Sequence, residues 1–207
     1  YKNMEFKDLG LPKDILNAII KLGFEHPSEI QEKAIPILSE GKRDFVGLAQ
    51  TGTGKTAAFG LPLIQHIDFK TGDTQGLVIC PTRELCMQIT KDLSSFAIFM
   101  AKPNIVPVYG GANITDQIRL IKKGAHIVVA TPGRLLDLIN RKAIKLKTVT
   151  RVVLDEADEM LNMGFKEDID SILEQTPDKK RVWLFSATMP KAVRQIANNY
   201  MNDPVEI

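Results

Sequence analysis

The sequence predicts an α/β fold, a mainly parallel β-sheet with helices on both faces. Three observations point to it. Six short apolar runs punctuate the chain, at residues 45–49, 77–80, 105–108, 127–130, 152–154 and 182–185, and 205–207 is expected to begin a seventh. Most of these runs are continuously apolar rather than alternating, as in strands covered on both sides. Helical periodicities fill the gaps between them, and strand–helix alternation over most of a chain makes a doubly wound sheet.

In chain order, Ile15, Leu16, Ile19, Ile20 and Leu22 recur at helical spacing and predict the first helix. Ser28 predicts the cap of a second, with Gln31 at its third position. The run at 45–49 is the first strand, and residues 57–67 follow it as a helix. After the second run, Leu85, Ile89, Leu93, Phe96 and Met100 paint one helical face. Thr131-Pro132 and Met189-Pro190 each place proline where a first helical turn tolerates it. Trp183 and Phe185 read as core.

The 207 residues fit one domain. With 44% hydrophobic and 25% charged residues, a buried core is expected and disorder is not. A net charge of +2 does not by itself mark a nucleic-acid binder. The charge is uneven: Arg141, Lys142, Lys145, Lys147 and Arg151 form a basic run, and residues 155–178 are strongly acidic. Both runs read first as solvated faces. Cys80 and Cys86 have no metal partners at ligand spacing and no disulfide framework, so a reducing, cytoplasmic setting is expected. No apolar run approaches the roughly 20 residues that cross a bilayer, so no membrane is expected. His26, His66 and His126 lack a ligand pattern. The chain opens with Tyr1, which suggests a fragment.

Ligands of such sheets sit outside the carboxyl ends of the strands, and the chemistry-bearing residues fall there. Ala49, Gln50, Thr51, Gly52, Thr53, Gly54, Lys55 and Thr56 follow the first strand and lead into a helix. This is a phosphate loop with alanine in place of the usual leading glycine. Gly52 and Gly54 let the backbone curl so that amide N–H groups face an anion. Lys55 supplies charge for the outer phosphates, and Thr56 offers a hydroxyl to Mg²⁺. Asp155, Glu156, Ala157 and Asp158 follow a strand at 151–154. Asp155 suits Mg²⁺ held through water, and Glu156 suits the polarisation of a water for attack on the terminal phosphate. The guanine-reading Asn-Lys-x-Asp pattern is absent. Gln31 suits two roles equally: its amide matches the N6 and N7 edge of adenine, and it completes a capping box with Ser28.

These residues resemble the DEAD-box RNA helicase family, of bacterial type, over nearly the whole chain. The resemblance rests on Phe6, Gly23-Phe24 and residues 27–31; on the phosphate loop; on Pro81-Thr82-Arg83-Glu84-Leu85, Gly110-Gly111 and Thr131-Pro132-Gly133-Arg134; and on residues 155–158 and Ser186-Ala187-Thr188. Ser28 departs from the threonine of many members but keeps the hydroxyl. The resemblance implies a RecA-like domain over 1–207, with the adenine-reading segment at about 4–32, and a monomer. It implies ATP or ADP with Mg²⁺, Gln31 reading adenine and Phe6 against the ring. It implies that Pro81, Thr82, Arg83, Glu84, Gly110, Gly111, Thr131, Pro132, Gly133 and Arg134 hold RNA backbone without sequence preference. It implies that Asp158, Ser186 and Thr188 couple the two sites, with Ser186 reaching Asp158. It also implies a second RecA-like domain, not seen in these residues, so slow turnover is expected without it. Two other readings use the same motifs in part: an RNA clamp without turnover, and a phosphate-loop enzyme with a small substrate, such as a kinase.

Overall fold

A computed structural model describes residues 3–207. A short 3-10 turn at Phe6–Asp8 leads into α1 (Lys13–Lys21) and α2 (Glu29–Glu40). Alternation then begins with β1 (Phe45–Leu48), α3 (Lys55–Gln65), β2 (Gly76–Ile79), α4 (Arg83–Phe96), β3 (Ile105–Val108) and α5 (Ile114–Lys122). It continues through β4 (Ile127–Ala130), α6 (Pro132–Asn140), β5 (Arg151–Leu154), α7 (Ala157–Asn162), α8 (Lys166–Gln175), β6 (Arg181–Ser186), α9 (Lys191–Tyr200) and β7 (Val205–Glu206). All seven expected runs are strands. They form one sheet in the order β3-β4-β2-β5-β6-β1-β7, and every pairing is parallel.

The continuous apolar runs have a direct cause. Along β5, Val153 enters the core beneath α1 to α4, while Val152 and Leu154 enter the core beneath α6 to α9. Along β6, Trp183 and Phe185 face the first core, and Val182 and Leu184 the second. Successive side chains point to opposite faces, and helices cover both, so the central positions of these strands are apolar. Trp183 and Phe185 are core, as the sequence suggests.

Helix boundaries depart from the periodicity in three places. Ile20 belongs to α1 but is 69% exposed, because Ile15, Ala18 and Ile19 already fill its inward stripe. Met100 lies beyond α4, which ends at Phe96 and turns at Ala97. Pro190 caps α9 from outside the helix, whereas Pro132 is the first residue of α6. His66 and His126 are structural. His66 Nε2 bonds Leu38 O at 2.8 Å, and burial lowers its pKa. His126 Nδ1 accepts from Asn104 N at 3.0 Å. No helix is long and apolar enough to cross a membrane among the described residues.

Candidate functional site

The site is assembled at the carboxyl ends of β1, β5 and β6, which lie side by side. After β1 the chain turns through Gly52 and Gly54, both at positive φ, into α3. Gly54, at φ 86, holds a conformation that favours glycine, and a Cβ there would stand 2.5 Å from Gln31 Nε2 and push that amide aside. Thr53 Oγ1 donates to Gln50 O at 2.7 Å and closes the loop upon itself. Gln50, Thr51, Gly52 and Thr53 are exposed, and Lys55 is buried at the loop's base. A cavity of about 540 Å³ flanks the loop, lined in part by Ser28, Lys33, Leu48 and Gln50.

Lys55 points at the acids after β5. Its Nζ lies 3.0 Å from Asp155 Oδ1 and 3.3 Å from Glu156 Oε1, and Thr51 Oγ1 also donates to Glu156. Asp155 is fully buried. Lys55 is near enough to pair with it in charge, but neither Asp155 oxygen accepts an aligned hydrogen bond from the described residues. Burial pushes the Asp155 carboxyl upward, Lys55 draws it back down, and the Glu156 charge pushes upward again. Glu156 itself sits in the left-handed region at φ 53, a strained position for a non-glycine residue that holds its side chain over the loop.

Gln31 fills the capping role in full. Ser28 Oγ accepts from Gln31 N, and Gln31 Oε1 accepts from Ser28 N at 2.9 Å. Its remaining donor, Nε2, reaches Gly54 O at 3.0 Å, so the amide ties α2 to the phosphate loop. Gln31, Gly54 and Thr56 line a cavity of about 310 Å³ together with Phe24 and Phe96. Phe6 borders the neighbouring cavity, its ring 6.0 Å from that of Phe24. The sequence reading passed over Phe24 and Phe96 as aromatic walls. Phe96 lies on the apolar face of α4 and reads as core, and Phe24 is a lone aromatic between Gly23 and Glu25.

The other motif residues cluster along the carboxyl ends of β2, β3 and β4. Thr82 caps α4 and accepts from Leu85 N, and Thr131 caps α6 with its hydroxyl unused. Arg83 lays its guanidinium 4.8 Å from the centre of the Tyr109 ring. Glu84 and Gly133 are exposed. A Cβ on Gly110 or Gly111 would meet nothing within 4 Å, so the surface there is bare backbone. Pro81 and Pro132 are buried at the starts of α4 and α6. Arg134 Nη1 is occupied internally, donating to Ala112 O at 3.1 Å and Gln117 Oε1 at 2.9 Å. Gln117, which the sequence did not single out, also donates to Tyr109 O. Its signal was faint: one buried amide on an otherwise amphipathic helix.

Asp158 joins β6 to α7. Ser186 Oγ accepts from Asp158 N, whereas the carboxylate is held by Thr188 through its hydroxyl at 2.8 Å and its N–H at 3.1 Å. Ser186 and Asp158 therefore meet, with Thr188 carrying most of the grip. Partial burial pushes the Asp158 pKa upward, but the bonds from Thr188, Glu159 and Ser186 outweigh it and hold the carboxyl below its ordinary value. Among the described residues no three His, Cys, Asp or Glu side chains form a metal cluster. A cation here would need ligands beyond the protein.

Comparison with known proteins agrees with this geometry. The family model for the DEAD/DEAH box helicase matches residues 28–196. A "DEAD-box ATP-dependent RNA helicase CshA" of Geobacillus kaustophilus is 48% identical over 96% of the chain, which covers 42% of that relative. An "ATP-dependent RNA helicase CshA" of Listeria monocytogenes is 50% identical over 97% of the chain and 38% of the relative. The crystal structure of a DEAD box protein from the hyperthermophile Methanococcus jannaschii superposes with a TM-score of 0.94 at 43% identity, covering all of this chain and 56% of that one. The chain thus spans about two fifths of the length of these curated relatives.

Proposed function

The chain belongs to the DEAD/DEAH box helicase family, and from that premise we propose that it is the nucleotide-binding and RNA-backbone-binding domain of an ATP-dependent RNA helicase. In that enzyme, ATP binding and hydrolysis drive local opening of short RNA duplexes. The observation that carries this reading is Asp155: a fully buried carboxylate with no aligned donor, set between Lys55 and Glu156 at the mouth of a phosphate loop. The Lys55 ammonium offsets the cost of burying it, and its lone pairs would serve a cation once Lys55 turns to phosphate. The donor set fits Mg²⁺, held by Asp155, directly or through water, and by the Thr56 hydroxyl, with water and phosphate oxygens completing its shell. When bound, the ion would offset charge on the phosphates.

The chain's own residues do the rest. Lys55 turns from the carboxylates to the outer phosphates, and the loop N–H groups of residues 50–56 cradle them. Glu156, released from Lys55, takes the proton of the attacking water. The Gln31 amide and the Phe6 and Phe24 wall receive the adenine. Thr82, Thr131 and the Gly110-Gly111 backbone bind RNA phosphates and sugars, with Arg83 adding a forked cation. Asp158, Ser186 and Thr188 link the two sites. A second RecA-like domain completes the cleft and supplies the arginine that stabilises the transition state.

The test is Glu156→Gln in a form carrying both domains. RNA-stimulated turnover should fall by at least ~10²-fold, while ATP-dependent retention of RNA persists. Turnover at the parent rate would sink the assignment of Glu156. A chain that failed to hold poly(U) with a non-hydrolysable ATP analogue would revive the small-substrate reading.

A further inference from the structure

The candidate site lies at the carboxyl ends of the strands, but a groove of about 760 Å³ crosses the opposite end of the sheet. It is larger than the cavity beside the phosphate loop and falls within the range of about 300–1,000 Å³ typical of ligand sites. Three sequence-distant segments build it: residues 72–74 entering β2, the end of α5 at 121–124 entering β4, and the 143–148 connection entering β5.

Its chemistry is two-toned. Ile121, Ile144 and Leu146 supply an aliphatic floor, buried or half-buried. Lys122, Lys145 and Lys147 stand exposed around it, and none forms an ion pair among the described residues. The one carboxylate in the lining is Asp73. Between 144 and 147, inward aliphatic and outward lysine alternate at the period of an extended chain. The walls are tied together: Thr148 Oγ1 donates to Thr74 O at 2.6 Å, Thr74 Oγ1 to Ala125 O at 2.7 Å, and His126 Nε2 bonds Thr71 O at 2.7 Å. A groove fixed in this way loses little entropy when filled.

We propose that this groove docks an extended acidic peptide segment of a partner protein, with aliphatic side chains seated on Ile121, Ile144 and Leu146 and carboxylates set against the three lysines. Single-stranded nucleic acid is held by stacking on aromatic rings and by forked guanidinium groups, and the lining has neither. A partner seated here leaves Lys55, Asp155 and the RNA-facing edge uncovered, so docking and nucleotide binding are compatible.

The experiment is fluorescence anisotropy of a labelled short peptide of alternating glutamate and leucine, titrated with this chain. Saturable binding is expected, weakened at least ~10-fold by the double variant K145E/K147E, weakened again when serine replaces the leucines, and unchanged by ADP with Mg²⁺. Both lysines are exposed, so the variant should unfold at the same temperature as the parent; if it does not, K145A/K147A decides. Binding indifferent to these lysines, or displaced by ADP, overturns the proposal. So does a uridine oligonucleotide that displaces the peptide from the parent chain and loses affinity in the same variant, because the groove would then belong to nucleic acid.

Discussion

At the scale of single residues, Gln31 shows how one side chain serves two demands. Its backbone N–H and Oε1 complete the α2 cap, and its Nε2 reaches Gly54 O. Ser28→Ala removes the hydroxyl half of the cap and should cost about 1 kcal/mol of stability, leaving the preference for ADP over GDP intact. Gln31→Ala should cost a similar amount and erase that preference; urea unfolding and nucleotide titration read the two effects separately. Thr188 allows a test by pH. Its bonds depress the Asp158 pKa, so the stability they contribute is fully present above the unfolded value of about 3.9 and is lost as pH falls through the lower folded value. Thr188→Ala should therefore cost about 1 kcal/mol near neutrality, the low side for a bond to a charged group because the site is open to water. The difference from the parent should shrink below pH ~3.9. A difference independent of pH would mean that Thr188 acts through packing.

At the scale of elements, Arg134 has a bracing role in the structure. From the first turn of α6 it holds the 110–112 loop and the α5 amide Gln117. Arg134→Ala should destabilise the chain by about 1–3 kcal/mol, the range for charged hydrogen bonds. It should also raise amide exchange at residues 110–113 before any RNA is added. Unchanged exchange there would return Arg134 to a purely ligand-facing role. Elements were also where the sequence was most legible. Six of the strands could be placed because helices cover both faces and leave most of each run apolar. Periodicity could not tell Ile20 from Ile19, because it reports spacing and not which stripe finds a partner. Nor could it show that Pro81 and Pro132 are buried, since a proline at a helix start looks alike inside and out. The phosphate loop and residues 155–158 were legible because their spacing is set by one ligand's geometry. The groove behind the sheet was not, because residues 72–74, 121–124 and 143–148 meet only after folding.

At the scale of the whole molecule, Lys55 is the cation that the fold sets against the acids beside the phosphate loop. The Asp155 and Glu156 carboxylates face Lys55, and the arginines Arg83 and Arg134 are held at the far carboxyl ends, one on Tyr109 and one within its loop. Neither is placed to meet charge developing on a terminal phosphate over Lys55. Such an arginine is worth about 10³–10⁵ in rate in related phosphoryl transfers. These 207 residues should therefore bind ADP and ATP with Mg²⁺, yet hydrolyse ATP slowly and gain little from added RNA. Steady-state turnover with and without poly(U) measures this, with Lys55→Ala as the baseline. Brisk RNA-stimulated turnover would mean that a cation within this chain swings to the phosphates, and Arg83 and Arg134 would be the first two to substitute.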